Sequence, residues 1–306
     1  MSGRARRLGA FALRAVPGPA RAELLFRLTG DYRRVRDFRH PGRFAGTAVE
    51  VYLAPEPNPD RPVLLFQHLA KTAGTSVRGL VYRNMAASGA TLHIEEAPRE
   101  TAGPATVGRW YESFLAGLGA EDLARLAGVA SHSANRLLPL LEPTTPVRAF
   151  TVLREPVRRV MSRYAFYATP RGWTLRELYT DASRRAVPQF FNGQSRALLV
   201  SHYDVDAPEL ARQDGPPPNA DLWRERLFSL LDDHYVVGVQ EHLRESVALF
   251  AREFGWRHSS TRRVRVAGRE ADPIDDDTAA LIRRYNWLDV ELYARFARRF
   301  GADAAR

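Results

Sequence analysis

The chain has 306 residues, with 45 basic side chains, 35 acidic side chains and no cysteine. This length fits one large α/β domain with additions or two small domains, and a hydrophobic content of 45% supports a sizeable core. The net charge of +10 predicts anionic partners, and the lack of cysteine excludes disulfides, thiolate nucleophiles and cysteine-based zinc sites. The lack of cysteine makes an intracellular setting the simplest one, so we expect a cytoplasmic protein. No apolar run reaches transmembrane length.

Residues 1–45 predict a basic, partly helical extension, because eleven arginines stand there against three acidic residues. We expect a solvated or self-packed arm, with weak contact to an acidic membrane surface as the alternative. Residues 46–306 are predicted to form a single α/β domain, and the alternation of residues 49–53 indicates its first strand.

A strand, a short polar turn and a helix are predicted within residues 63–85. The apolar run 63–67 is typical of a buried strand, and an amphipathic helix is expected to follow with its N-cap at Thr75 and Ser76. The turn contains Lys71, the sole lysine among the 45 basic residues. Free backbone N–H groups and the helix dipole favour an anion at such a helix N-terminus, and we predict a phosphate there. The order K-T-A-G-T-S is not that of a Walker A loop, whose lysine follows its second glycine.

The next region predicts a strand at 91–94, a loop over 97–108 and short helices at 110–118 and 121–127. A strand of small residues then ends in His132.

A second motif combines a buried strand at 147–153 with a helix that begins at Pro156. Arg154 follows the strand, while Arg159 and Ser162 lie three residues apart and share a face of the helix. An arginine at a strand end and a serine one or two helical turns later can clamp one phosphate. A nucleotide triphosphatase would instead need a carboxylate at this strand end to hold Mg²⁺.

The last third predicts a helix at 222–231, a strand at 234–239, a helix at 243–254 and a core-facing helical stripe at 287–296. We also expect the basic loop with Arg262, Arg263 and Arg265 to cover a bound nucleotide. The proline-rich loop 204–219 is expected to border the site of the molecule that accepts the transferred group.

Both motifs resemble those of sulfotransferases that use 3′-phosphoadenosine 5′-phosphosulfate. Residues 68–76, H-L-A-K-T-A-G-T-S, resemble the H-I-P-K-T-A-G-T-S loop of the carbohydrate sulfotransferase family that includes the heparan sulfate 2-O-sulfotransferases. Residues 153–164 resemble the L-R-D-P-x-x-R-x-x-S-x-Y element of that family, with Glu155 in place of aspartate. Weaker similarities follow at 192–198, 237–241 and 286–293.

The resemblance implies a P-loop-like α/β fold, with a mainly parallel sheet flanked by helices on both faces and the donor at the carboxyl ends of the strands. It also implies which residues bind the donor. These are Lys71, Thr72, Ala73, Gly74, Thr75 and Ser76 for the 5′-phosphate, and Arg154, Arg159 and Ser162 for the 3′-phosphate.

The resemblance implies two catalytic residues. Lys71 would neutralise charge on the leaving phosphate oxygen, and His132 stands where the family has its general base, with Ser131 in place of a glycine. We expect no metal, a carbohydrate or glycoconjugate acceptor, no nucleic acid partner, and a soluble protein of bacterial type.

Two other classes of function stay open. A nucleotide-dependent kinase would share the strand, loop and helix, and would prefer ATP with Mg²⁺ to the bisphosphate nucleotide. A non-enzymatic binder of nucleic acid or acidic glycan would account for the charge, and would bind polyanions with a steep salt dependence but no nucleotide.

Overall fold

The computed structural model describes residues 47–98, 103–167, 172–181, 188–203, 210, 214–260 and 274–303. The predicted basic extension, the loop with Arg262, Arg263 and Arg265, and most of 204–213 lie outside the described residues.

The strands form one six-stranded sheet in the order β3-β1-β4-β2-β5-β6. Their bounds are β1 (Thr47–Leu53), β2 (Val63–Gln67), β3 (Thr91–Ala97), β4 (Leu126–Ser131), β5 (Val147–Leu153) and β6 (Tyr235–Val239). Strands β4, β2, β5 and β6 are parallel, and β1 pairs antiparallel with both β3 and β4. The predicted mainly parallel sheet is therefore confirmed, with an antiparallel extension at one edge.

Helices connect the strands and follow the last of them. They are α1 (Gly74–Ala87), α2 (Pro104–Gly117), α3 (Ala120–Arg125), α4 (Leu138–Leu141), α5 (Pro156–Tyr167), α6 (Glu177–Thr180), α7 (Gly193–Tyr203), α8 (Ala220–His234), α9 (Leu243–Phe254), α10 (Asp276–Tyr285) and α11 (Trp287–Asp303). Short 3-10 turns lie at Ala134–Leu137, Pro188–Phe190 and Gln240–His242. Within the described ranges, no helix is both long and apolar enough to span a bilayer.

Hydrophobic clusters cover both faces of the sheet, as the alternation of side chains along a strand requires. Leu65 of β2 packs in a cluster with α2, α4, α7, α8 and α11. Phe66 packs on the opposite face with α1 and α9. A third cluster joins α5, α6 and α10 beside the sheet. The predicted helices on both faces are thus present, and the apolar stripe of α11 belongs to the core as predicted.

Two predicted boundaries were wrong. The loop predicted over 97–108 instead contains the start of α2, because Pro104 occupies the first helical turn, where its missing N–H costs no hydrogen bond. The N-cap of α1 is Ala73 and not Thr75 or Ser76, and its side chain makes no capping hydrogen bond.

The four parallel strands carry their following residues to one edge of the sheet. There β2 ends at Gln67, β4 at Ser131, β5 at Leu153 and β6 at Val239. Ligands of open α/β sheets bind at this carboxyl edge. The loop with Lys71 therefore begins at this edge. His132 and Arg154 also lie there, as the first residues after β4 and β5.

Candidate active site

The loop after β2 turns sharply because two residues other than glycine adopt left-handed backbone conformations. Lys71 has φ 72° and Ala73 has φ 64°. Such conformations cost on the order of 1–3 kcal/mol each and persist where the surrounding structure holds them. Buried Thr72 contributes to that support, because its hydroxyl donates to the Leu69 carbonyl at 2.9 Å. The turn brings Lys71 to the N-terminus of α1.

One of the predicted backbone donors is already engaged. The N–H groups of Ser76 and Val77 both donate to the Ala73 carbonyl, at 2.9 and 3.2 Å. The anion predicted at this helix N-terminus is therefore left to the N–H groups of residues 72–75.

His68 packs directly against the first residue of α1. A β-carbon on Gly74 would overlap the imidazole of His68, so the loop requires glycine at this position for close packing. The His68 ring also stacks on Phe66, with centroids 5.9 Å apart.

His132 is the first residue after β4, and it also packs against His68. The two imidazoles stack with centroids 4.2 Å apart and an interplanar angle of 24°. Nδ1 of His132 donates to the His68 carbonyl at 2.6 Å, because a carbonyl can only accept. This hydrogen bond fixes the tautomer of neutral His132 and leaves Nε2 with the lone pair. Gln67 holds the same segment by donating to the His132 carbonyl and accepting from the Asn135 N–H.

Both imidazoles are neutral at pH 7. Burial lowers the pKa of His132 to about 4, aided by the positive charges of Arg78 and Arg163 and opposed by its hydrogen bond to His68. Burial also lowers the pKa of His68 well below its ordinary value, as do His132 and Arg78. A neutral imidazole with a fixed Nδ1–H is in the correct state to accept a proton at Nε2.

Arg154 joins the end of β5 to the lysine loop. Its Nη1 donates to the Lys71 carbonyl at 3.1 Å. The backbone of Arg154 is held by the Gln194 amide, which accepts from its N–H at 2.9 Å and donates to its carbonyl at 3.0 Å. Burial lowers the pKa of Arg154, yet a guanidinium remains protonated at neutral pH. The two predicted phosphate sites are therefore neighbours.

Helix α5 separates the predicted 3′-phosphate residues into two environments. Ser162 is partly exposed, whereas Arg159 is only 2% exposed. Nη2 of Arg159 donates to the Gln189 carbonyl at 3.0 Å, and Nη1 lies 3.9 Å from the Asp289 carboxylate. A β-carbon on Gly193 would overlap this guanidinium. Arg159 is therefore enclosed within the fold, whereas Arg154 and Ser162 are partly exposed.

Glu155, which replaces aspartate in the second motif, caps α5. Its carboxylate accepts from the Arg158 N–H at 2.7 Å. The substitution therefore preserves an N-terminal cap.

Two helices far apart in sequence cap each other behind Arg154. Oδ1 of Asn192 accepts from the Leu288 N–H at 2.9 Å, at the start of α11. The Asp289 carboxylate accepts from the N–H groups of Gln194 and Ser195 at 3.0 and 2.8 Å, at the start of α7. The segments similar to the family at 192–198 and 286–293 thus form one buried network, which positions Gln194 against Arg154.

Sequence reasoning missed Phe166, which lies beside Lys71, and Arg163, which lies beside Phe166. The Nζ of Lys71 lies 4.7 Å from the centroid of the Phe166 ring, and the Arg163 guanidinium lies 6.0 Å from the same centroid. The available signal was that both residues lie on the same helix as Ser162, which Phe166 follows by one helical turn.

A family model described as galactose-3-O-sulfotransferase matches residues 37–306, which is 270 of the 306 residues. A search of the curated proteins finds no match to the chain. Within the described part of the chain, no three histidine, aspartate or glutamate side chains are grouped to hold a metal ion. The matched range includes all six strands and each candidate residue, and it confirms the predicted class of carbohydrate sulfotransferase. The chain belongs to the galactose-3-O-sulfotransferase family.

Proposed function

We propose that this protein transfers a sulfuryl group from 3′-phosphoadenosine 5′-phosphosulfate to a carbohydrate hydroxyl. The observation that carries the proposal is the hydrogen bond from Arg154 to the Lys71 carbonyl, at 3.1 Å. It brings two cations together at the N-terminus of α1, one His68 ring away from His132. A donor with one charged group at its 5′ position and another at its 3′ position fits a site with two neighbouring cations.

The residues present fit this donor. The N–H groups of residues 72–75 and Lys71 would hold the 5′-phosphosulfate, because a helix N-terminus and an ammonium both favour an anion. Arg154 and Ser162 would hold the 3′-phosphate through charge-assisted and neutral hydrogen bonds. The donor supplies the sulfuryl group.

His132 would act as the general base. Its Nδ1 is committed to the His68 carbonyl, so Nε2 is the nitrogen that accepts the proton of the attacking hydroxyl. A bound polyanion raises the pKa of a nearby histidine, which brings the low pKa of the ligand-free protein closer to the working pH. Lys71 would stabilise the negative charge that develops on the phosphate oxygen as its bond to sulfur breaks.

The description of the matching family names galactose and its 3-hydroxyl. We accordingly propose a galactoside as the acceptor and its 3-hydroxyl as the position that is sulfated.

Thermal-shift titrations and a transfer assay test the proposal together. We expect 3′,5′-adenosine bisphosphate to raise the melting temperature through binding to the folded state, and radiolabelled sulfate to pass from the donor to a β-galactoside. Tighter binding of ATP with Mg²⁺ and transfer of phosphate would indicate a kinase. Salt-sensitive binding of heparin or DNA without any nucleotide binding would indicate a polyanion binder.

A further inference from the structure

Phe166 presents a large apolar surface to solvent beside the proposed catalytic lysine. Its side chain is 62% exposed, more than the other exposed large apolar residues of the described chain, Leu140 and Leu222. An exposed apolar side chain alone requires no explanation. The position of this one does, because the Lys71 ammonium lies 4.7 Å from its ring centroid.

The ring is set in place by its neighbours on α5. The Arg163 guanidinium lies 6.0 Å from the Phe166 centroid and 5.4 Å from the Tyr167 centroid. Tyr167 in turn packs edge-on against Trp173 and Phe190, at 6.4 and 6.2 Å between centroids. Arg163 is also close enough to His132 to lower its pKa by charge repulsion. Phe166 therefore lies beside Lys71 and packs with an arginine whose charge acts on His132.

An acceptor hydroxyl must reach the sulfuryl group between Lys71 and His132, so the rest of the acceptor lies against surfaces next to them. Pyranose rings have faces of C–H groups and edges of hydroxyls. In a galactopyranoside the axial 4-hydroxyl leaves three C–H groups together on the opposite face. An aromatic ring attracts such C–H groups through its negative face and excludes water from them. The cations Lys71 and Arg163 beside the ring can donate hydrogen bonds to the hydroxyl oxygens.

We propose that Phe166 is an acceptor-specificity residue, on whose exposed ring the C–H face of a pyranose stacks while a ring hydroxyl faces Lys71 and His132. This inference rests on the proposed sulfuryl transfer and adds to it how the acceptor is recognised. It predicts that the enzyme selects closed sugar rings over open-chain polyols with similar hydroxyls.

The test compares methyl β-D-galactopyranoside with galactitol, which lacks a ring face. The KM is measured for the galactoside, an inhibition constant is measured for galactitol against it, and the Kd of 3′,5′-adenosine bisphosphate is measured by calorimetry. Phe166→Ala is expected to raise the galactoside KM about tenfold, which corresponds to the loss of part of one aromatic contact. The galactitol constant and the bisphosphate Kd should not change.

Two further variants sharpen the result. Phe166→Trp retains an aromatic face and should keep the galactoside KM near native. Leu222→Ala removes an exposed apolar side chain from α8 and should change none of the three constants.

Three results for Phe166→Ala would each overturn the inference. The galactoside KM and the galactitol inhibition constant could rise equally, neither of them could change, or the bisphosphate Kd could rise. A weakened bisphosphate Kd alone would place Phe166 on the donor side. A failure of the proposed function looks different, because native protein would then bind no bisphosphate and transfer no sulfate, and the inference would fall with it.

Discussion

The imidazole of His68 lies so close to the α-carbon of Gly74 that no β-carbon fits between them. This contact links the start of α1 to His132, the proposed general base, because His68 also stacks on His132 and its carbonyl accepts the His132 Nδ1–H. Glycine in the K-T-A-G-T-S loop therefore serves the packing of a neighbouring ring.

Gly74→Ala should displace His68 and with it His132. We expect a loss of about 1–3 kcal/mol in the free energy of unfolding, as for other overpacked sites, together with a strong loss of turnover. Chemical denaturation and a transfer assay measure the two effects. The double variant Gly74→Ala, His68→Ala should regain stability but not turnover, and Gly119→Ala, where nothing lies within 4 Å, is the neutral control. Full activity in Gly74→Ala would show that the His68 ring can move without consequence.

Lys71→Ala should reduce turnover far more than it weakens donor binding. Removing one group that stabilises a developing oxyanion typically costs about 10²–10³ in rate. Steady-state kinetics and bisphosphate calorimetry separate the two quantities. Lys71 is the sole lysine, so reductive methylation can alter only this side chain and the α-amino group. Turnover of the methylated protein is therefore an independent check on the role of Lys71. The exposed Arg158→Ala on α5 is the control for loss of one positive charge. Near-native turnover in Lys71→Ala would limit this residue to binding.

His132 should control the acidic limb of the turnover profile. Only the neutral imidazole can accept a proton, so turnover should fall as pH decreases through the apparent pKa. That pKa is about 4 without ligand, and the anionic donor raises it, so we expect a limb below the ordinary histidine value of about 6.5. His132→Asn should abolish the limb and lower turnover by about 10²–10⁴. An unchanged limb in a folded His132→Asn protein would exclude His132 as the base.

The same lowered pKa also affects stability. Between the folded value of about 4 and the unfolded value of about 6.5, the unfolded state binds the additional proton. The free energy of unfolding should therefore decrease as pH falls through this window, by up to about 1.4 kcal/mol per pH unit for one histidine. Denaturation of native protein and His132→Asn at several pH values should show a shallower slope in the variant.

Arg154 and Arg159 should behave differently although both belong to the second motif. Arg154→Ala and Ser162→Ala should weaken 3′,5′-adenosine bisphosphate far more than adenosine 5′-phosphosulfate, which has no 3′-phosphate. The charged contact of Arg154 should contribute about 1.5–3 kcal/mol. Arg159→Met should instead destabilise the fold by up to about 3–5 kcal/mol, because it removes the α5 cation near the Asp289 carboxylate and leaves that carboxylate buried. Calorimetry with both nucleotides and thermal melting distinguish these outcomes. A specific loss of bisphosphate affinity in stable Arg159→Met would return Arg159 to the phosphate site.

The sequence predicted the parts of the site that depend on local pattern and on strand order. Apolar runs identified β2 and β5, and Pro156 marked the start of α5. The resemblance implied a donor at the carboxyl ends of the strands, with Lys71 and Arg154 both binding it, and therefore implied that the two residues lie near each other. The hydrogen bond between them agrees with that expectation.

What the sequence did not predict depends on contacts between distant segments. Left-handed Lys71 and Ala73 have no local signature, because these residue types rarely adopt positive φ. Arg159 matched a phosphate motif, and its burial against Asp289 follows only from the docking of α11. Phe166 occupies a helical position at which a phenylalanine would ordinarily be expected in the core.

The reciprocal caps between α7 and α11 make the proposed donor site depend on a segment far from it in sequence. Arg154 is held by Gln194, whose helix begins on the Asp289 carboxylate near the end of the chain. A nascent chain that has not yet extended past Asp289 has the lysine loop and Arg154 but lacks the group that fixes their spacing. A nucleotide bound against Arg154, as we propose, would be coupled to α11 through this network, and it should protect α11 from proteases as well as the loop that it touches.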